Sequence, residues 1–272
     1  MKTLKELKNF IILWLTQSFS SLGSSMTSFA LIIMLYQDSG SALTTALLSV
    51  SSYAPYVIMS IFSGAISDKW NKKTIMLVCD SFAALCTVIT LILLKNGSLE
   101  IWHLYILNAL NGLMNSVQSP ASDVAVTLLT PEKHYQKTGG LRYFSNSLVS
   151  ILTPAISAAV MAFAGIEAVI MFDLFTFAAA FFSLLIFIRI PKIQQDSEKN
   201  ESILQLAKSG LVYLKNNRGI LFLIIFLSGI NLIASICSAT MPALVLSKAD
   251  EAAYGIVNSC VGVFTLLGSV IA

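Results

Sequence analysis

The sequence predicts an all-α integral membrane protein, on three observations. Of its 272 residues, 56% are hydrophobic and only 11% charged, where a soluble domain carries about 25% charged residues. The apolar residues gather into eight runs long enough to cross a bilayer. The lysines and arginines fall almost entirely into alternate loops between those runs, the pattern of cytoplasmic loops.

The first run covers 10–36. Its start, MKTLKELKNFIILWL, has the charged n-region and apolar core of a signal peptide, and residues 22–30 resemble a cleavage region. The apolar stretch continues to Leu35, beyond the usual length of such a core, so it is read as a span. The second and third runs, 41–66 and 74–94, are joined by a charged turn within GAISDKWNKK, residues 64–73. There Gly64 is expected to permit close helix approach. Asp68 is expected to accept from the amides of the next helix, and Asn71 to take a left-handed conformation. Runs four to six cover 101–128, 140–164 and 166–189.

A polar connector follows. Its stretch 201–217 reads as an amphipathic helix on the membrane surface. Ser202 and Gln205 form its capping box, and Ile203, Leu206, Ala207, Leu211 and Leu214 its apolar face. Runs seven and eight cover 219–246 and 252–272. The organisation expected is a six-helix half over 1–190, a cytoplasmic connector over 191–218, and the start of a second half over 219–272.

With the N-terminus placed in the cytoplasm, 15 of the 17 lysines and arginines lie inside and only Lys95 and Lys248 outside. The expected location is therefore the cell inner membrane, multi-pass. The net charge of +3 belongs to this topology and implies no nucleic-acid partner. Trp102, His103 and Tyr105 fall where an outer aromatic belt lies. Cys79, Cys86, Cys237 and Cys260 sit inside apolar runs with no CxxC pairing and read as packing residues. His103 and His134 have no metal-ligand partner at helical spacing, so no metal site is expected. No nucleophile–base pair or phosphate loop points to an enzyme.

Polar residues inside the runs repeat at steps of three and four, which sets them on one helix face. They include Thr16, Ser20 and Ser24 in the first; Asn108, Asn111, Asn115 and Gln118 in the fourth; Asn146 and Ser150 in the fifth; Ser228, Asn231 and Ser235 in the seventh. Serines and threonines at such positions also serve plain helix packing. Three asparagines and a glutamine on one face are costly to bury, and they read as the lining of a substrate cavity. Charges at membrane depth are rarer still. Asp80 lies about 9 Å into the third run, Asp123 at a similar depth in the fourth, and Arg142 near the inner end of the fifth. These three are expected to form an ion-pair cluster. Asp173, in EAVIMFDLFTF, has no cation near it in sequence. It is the candidate for carrying a proton, with a hydrogen bond to a neighbouring helix as the plainer role.

The turn at 64–73 resembles the loop signature G-x-L-a-D-r-x-G-r-k of the major facilitator superfamily of transporters. Gly64, Ile66, Asp68, Lys69, Lys72 and Lys73 carry the match, and Asn71 stands in place of a glycine. The order of six spans, connector and further spans is similar to the same family. The stretches QSPASDVAVTLLTPEKHYQKTGGLRYFSNSL and FIRIPK look most like its macrolide-efflux branch of drug:proton antiporters. Two positions depart from that branch. Asn111 stands where many members have arginine. The fifth-helix glycine-rich signature is reduced to TPAISA at 153–158, where Pro154 survives.

The resemblance implies a twelve-helix fold of two halves, of which the chain holds eight helices. It is therefore expected to be truncated at its C-terminus, since twelve spans need roughly 400 residues. It implies gating by Gly64, Asp68, Lys69, Lys72 and Lys73. It also implies efflux of small amphipathic or neutral solutes, with no cofactor and a proton as coupling ion. Two alternatives stand beside efflux: import of a neutral nutrient or lysolipid, and an inactive truncated transporter or membrane subunit.

Overall fold

The structure, a computed structural model, describes residues 6–191 and 203–246, with 264, 267 and 268. No strand occurs among the described residues. The chain divides into two compact units, Met1–Lys199 and Asn200–Ala272.

In the first unit α1 spans Lys8–Ser39, α2 Ala42–Lys69, α3 Lys72–Lys95 and α4 Ile101–Leu129. Each junction has a local cause. Gly40, at φ 62°, ends α1 in the left-handed region, and its N–H donates to Tyr36 O at 2.8 Å. Ser41 caps α2, its hydroxyl accepting from Thr44 N at 3.4 Å. Asn71 caps α3 by accepting from Lys73 N at 2.9 Å. Gly97, at φ 63°, closes α3: its N–H reaches Leu94 O and that of Ser98 reaches Leu93 O, both at 3.0 Å. Pro131 ends α4 by forcing Thr130 into extended backbone, φ −111° and ψ 122°.

A 3₁₀ turn, Glu132–His134, leads into a 53-residue helical stretch, Tyr135–Phe187. It is not straight. Gly165, at φ 78° and ψ 172°, breaks it into α5 (135–164) and α6 (166–187). Ser157 of α5 bonds Met26 O, while Asp173 of α6 accepts from Ser24. In one straight helix those residues would stand about 24 Å apart, yet both meet α1 within three residues. The stretch therefore folds back on itself at Gly165.

α1 packs chiefly on the α5–α6 hairpin, α4 chiefly on α2 and α3, and α3 also meets the hairpin. This pairing is unchanged when α1–α3 are exchanged with α4–α6, as in a pair of inverted three-helix repeats. The apolar contacts fall into layers. Leu13, Met76, Ala125, Leu184 and Ile188 fill one end of the bundle, Met26, Ala30 and Val169 a middle layer, and Leu35, Leu48 and Leu104 the other end. At two points backbones come too close for a side chain. A Cβ on Gly112 of α4 would lie 2.9 Å from the carbonyl carbon of Ser52 in α2, and one on Gly23 of α1 2.9 Å from Cα of Asp173. Lipid offers helices no hydrophobic drive to associate, so such close backbone packing does that work.

Two expectations need correction. Gly64 is exposed and faces open space, so it makes no close approach. Asn71 is extended, at φ −64° and ψ 121°, because it caps α3 instead of turning left-handed. Among the described residues four helices are by themselves long and apolar enough to cross a membrane, or five with the bent pair Ala207–Asn216 and Arg218–Ala234 taken as one span: Lys8–Ser39, Leu43–Lys69, Lys72–Lys95 and Glu132–Phe187, the last folded back at Gly165. Helix α4 has ample length, 29 residues or about 43 Å, but its polar stripe keeps it out of that set.

In the second unit α7 spans Ile203–Asn216 and α8 Arg218–Leu246. They bend by 99° at Asn217. Asn217 ends one helix by donating N–H and Nδ2 to Tyr213 O and starts the next by accepting from Leu221 N. A helix lying along the membrane surface and turning into it has this shape. Ser202 and the eighth run, 252–272, lie outside what can be placed: of that run only 264, 267 and 268 are among the described residues.

Lysines 69, 72, 73, 133 and 137 and Arg189 all gather at the bundle end that holds the start of α1. There Glu6 accepts from Lys133 Nζ at 2.7 Å and lies 3.2 Å from His134 Nε2. The Lys133 bond first, then His134, holds the Glu6 carboxyl below the usual carboxylate range. A lowered folded-state pKa makes the contact favourable above the unfolded value, and the contribution disappears as pH falls through the folded one. Lowering pH from about 5 to about 3 should therefore reduce the thermal midpoint in detergent more for the wild type than for Glu6→Gln; equal losses count against the contact.

The glycine geometry gives a sharper contrast. Gly112→Ala should cost about 1–3 kcal/mol through overpacking. Gly64→Ala should stabilise by about 0.5–1 kcal/mol, because alanine is the better helix former and meets nothing there. Unfolding in detergent checks both, and equal effects would contradict the close approach at Gly112.

Candidate functional site

The six helices of the first unit line a half-open cavity of about 1000 Å³. Its wall mixes polar and apolar surface in similar measure, although its helices are largely apolar. α1 contributes Gln17, Ser20 and Ser24; α2 Ser52 and Tyr56; α3 Asp80, Thr87 and Thr90. α4 contributes Asn108, Asn111, Asn115 and Gln118; α5 Arg142, Asn146, Ser150 and Pro154; α6 Asp173 and Phe177. The helical steps place these residues on inward faces, and hydrocarbon offers their outward faces no hydrogen bond.

Most of the expected lining residues meet here. Thr16 does not. Its hydroxyl turns back to Ile12 O at 2.8 Å and is satisfied within its own helix. Gln17 takes its place, one residue on, in the register Gln17, Ser20, Ser24. A glutamine in an apolar run costs more than a threonine, and that was the available signal. Thr87 and Thr90 of α3 carried no comparable signal, because lone threonines usually pack against their own backbone. Asn108 Nδ2 donates to Leu48 O at 3.4 Å, tying α4 to α2. Asn111 Oδ1 is buried with no hydrogen-bond partner. Pro154 has no N–H, so Ser150 O lacks its usual helical donor at the cavity wall. Ser228 and Asn231 lie on α8 of the second unit, both exposed, with Asn231 Nδ2 bonded to Leu227 O at 2.9 Å. The side chain of Ser235 lies outside the described residues.

The charged residues are arranged differently from the expected cluster. Arg142 pairs with Asp123, which is exposed and outside the cavity lining. Asp80 does not join them. It is only 8% exposed, and it accepts at Oδ2 from Gln17 Nε2 at 3.3 Å and at Oδ1 from Gln118 Nε2. Arg142 and Asp123 are on α5 and α4, whereas Asp80 reaches the two glutamines from α3. Asp173 is 4% exposed and has a partner after all: the Ser24 hydroxyl donates to its Oδ1 at 2.9 Å. Hydrogen bonds between membrane helices contribute about 0.6 kcal/mol on average and up to about 1.7. Taking a charge out of water costs several kcal/mol. The local bonds at these two acids return less than that cost.

The turn between α2 and α3 sits at the basic end. Lys72 is buried, and its Nζ donates to carbonyls at the end of α2: Ser67, Asp68 at 3.3 Å and Trp70 at 3.4 Å. Lys73 Nζ donates to Leu185 O at 2.9 Å and Ile188 O at 2.8 Å, at the end of α6. Both lysines place charge where helix carbonyls are left over and the macrodipole is negative. Gly64, Asp68 and Lys69 are exposed on the last turns of α2 that lead into this turn. Asn71 supplies the side-chain cap on α3.

Residues 13–272 match the family described as Major Facilitator Superfamily. Macrolide efflux protein A of Streptococcus pyogenes is 24% identical over 217 residues, 79% of this chain and 53% of that protein. An uncharacterized MFS-type transporter of Bacillus subtilis strain 168, YfiS, is 28% identical over 216 residues, 76% of this chain and 49% of its own length. Macrolide efflux protein A of Enterococcus faecalis is 24% identical over 187 residues, 68% of this chain and 57% of that protein. The chain spans about half the length of the curated relatives it matches.

The tie from α3 to α6 is testable. Lys73→Met should destabilise the protein in detergent by roughly 1–2 kcal/mol, as two charge-assisted bonds to helix-end carbonyls are lost. Lys69→Met should have a much smaller effect. Matching losses would mean that general positive charge at this end matters and the tie does not.

Proposed function

The chain belongs to the major facilitator superfamily, and from that premise we propose that it is a secondary active transporter that exports amphipathic solutes by alternating access, driven by protons. One observation carries the reading. A half-open cavity of about 1000 Å³, lined by many polar side chains and two buried carboxylates, lies among long apolar helices. Transporter sites lie near the bilayer midplane, between helices that can rock against one another. Two of the relatives are named macrolide efflux proteins, which supports export of bulky amphipathic compounds. The crowding of lysines and arginines at one end supports a cytoplasmic N-terminus in a plasma membrane.

In this reading Asp173 carries the coupling proton. Its partner is a hydroxyl, and a hydroxyl can donate to a carboxylate or accept from a carboxylic acid by rotating. The Ser24–Asp173 contact therefore survives either protonation state, with the proton changing the charge on α6. Ser24 lies at the middle of α1, and Gly23 beside it brings the two backbones together. A charge change there acts on the tightest α1–α6 contact. The basic-end junction, with Lys73 bonded to the end of α6 and Asp68 and Lys69 exposed at the end of α2, is the gate. It holds one arrangement of helix ends and releases in the other.

The test uses inside-out membrane vesicles with an acid interior and a labelled macrolide. The wild type should accumulate the label, and Asp173→Asn should lose gradient-driven accumulation by at least about tenfold. Unchanged accumulation in Asp173→Asn removes the proton role. Accumulation only in right-side-out vesicles would make the chain an importer.

A further inference from the structure

We propose that Asp173 and the hydroxyls of Ser24, Thr27 and Thr176 form a binding site for Na⁺ at the α1–α6 contact, which the metal ion and the coupling proton occupy in turn. This rests on the transporter reading above and deepens it by naming a second ion for the same carboxylate.

The first support is the set of oxygens. Ser24 and Thr27 are three residues apart on α1, and Asp173 and Thr176 three apart on α6, so each pair shares a helix face. The two faces meet where Gly23 lets the backbones close. A Cβ on Gly23 would lie 3.0 Å from Asp173 Oδ1 and would collide with Thr176 Oγ1. Ser24 Oγ donates to Asp173 Oδ1 and Thr176 Oγ1 to Asp173 O, both at 2.9 Å. A hydroxyl that donates keeps two lone pairs. These oxygens can therefore hold a cation without giving up their present bonds, and hard cations take oxygen ligands of this kind.

The second support is a pair of hydroxyls without partners. Thr27 and Thr153 are each 7% exposed, line the cavity, and have an Oγ1 buried with no hydrogen-bond partner. A threonine inside a helix commonly bonds a carbonyl of its own preceding turn, as Thr16, Thr87 and Thr90 do. Thr27 and Thr153 forgo that bond. The Thr27 hydroxyl lies beside the Asp173 carboxyl, outside hydrogen-bonding geometry. Thr153 reaches the same level from α5. Trp14 meets Leu141 O and Ser145, and Ser157 meets Met26 O, so α1 and α5 run parallel. One turn before Ser157, Thr153 stands level with Gly23. Leaving two buried hydroxyls unsatisfied is costly, and an ion seated among them removes that cost.

The third support is charge. Among the described residues no lysine, arginine or histidine forms an ion pair with Asp173, and Arg142, the cation of the cavity wall, is paired with Asp123. One buried carboxylate matches one unit charge, whereas a divalent ion would leave a buried positive charge behind. Among the described residues no three His, Cys, Asp or Glu side chains gather to hold such an ion. Asp80 is the contrast within the same cavity. Its partners are the amide N–H groups of Gln17 and Gln118, which present hydrogen and no lone pair to a cation.

The experiment treats the 272-residue chain in detergent micelles with dicyclohexylcarbodiimide, which modifies buried carboxyls in their protonated form. Mass spectrometry reads the rate of modification at Asp173 and at Asp80. Sodium chloride should slow modification of Asp173 by about fivefold or more relative to choline chloride at equal ionic strength, and should leave Asp80 unchanged. Thr27→Val should lose this protection, and Thr27→Ser should keep it. Equal rates in the two salts overturn the proposal. So do equal protection of both acids, which marks a general salt effect, and full protection in Thr27→Val. Binding of radiolabelled Na⁺ to the wild type in the same micelles is the second measurement. It should saturate, be lost in Asp173→Asn and survive in Asp80→Asn. No saturable binding by the wild type overturns the proposal whatever the reagent does. Both measurements are made without a gradient, so they judge the Na⁺ site, whereas the vesicle flux assay judges the transporter reading.

Discussion

At Gly23 the backbone of α1 comes within side-chain distance of α6, and a Cβ there would collide with Asp173 and Thr176. The rest of the first unit depends on this approach. It seats Ser24 against Asp173, leaves α1 packed on the hairpin through Met26 and Ala30, and turns Gln17 and Ser20 toward the cavity. The underlying constraint is the solvent. Hydrocarbon neither rewards apolar contact between helices nor accepts a hydrogen bond. Helices with polar stripes must therefore meet through small residues and turn the stripes toward one another or toward water. Gly112 against Ser52 repeats the device between α4 and α2. The cavity is the space left when two such tightly packed sets face each other across their polar sides.

Much of this was readable from residue order, for a physical reason. Helix length and apolarity are local properties, so the spans, the break before Ile166 and the amphipathic stretch around 203–216 follow from a short window. The polar faces of α4 and α5 were readable too, because asparagine is expensive at membrane depth whatever its neighbours. Partners were not readable. Asp80, Asp123 and Arg142 lie at similar depth, and depth alone cannot say that Asp80 turns to Gln17 and Gln118 while Asp123 alone meets Arg142. Nor does a glycine announce its role. Gly64 sits in a recognisable loop signature and its open side faces empty space, while Gly23 and Gly112 sit in ordinary apolar runs and bring backbones together.

The basic end shows how one turn joins charge to helix geometry. Lys72 closes the helix it follows, and Lys73 reaches across to α6, the helix that also carries Asp173. A change of charge at Asp173 and a change of contact at Lys73 therefore act on one rigid element. That is a physical route between a buried acid and a loop at the membrane surface, needing only that α6 have two positions.

All of this requires the polar face of α4 to meet water at the depth of the bilayer. Spin labels placed singly along residues 101–129 in lipid vesicles test it through collision with a water-soluble relaxation agent and with oxygen. Collisions with the water-soluble agent should peak about every 3.6 residues, at Asn108, Asn111, Asn115 and Gln118, with oxygen peaking on the opposite face. Oxygen peaks at those four positions, or no periodicity at all, would mean that no aqueous cavity exists within the bundle.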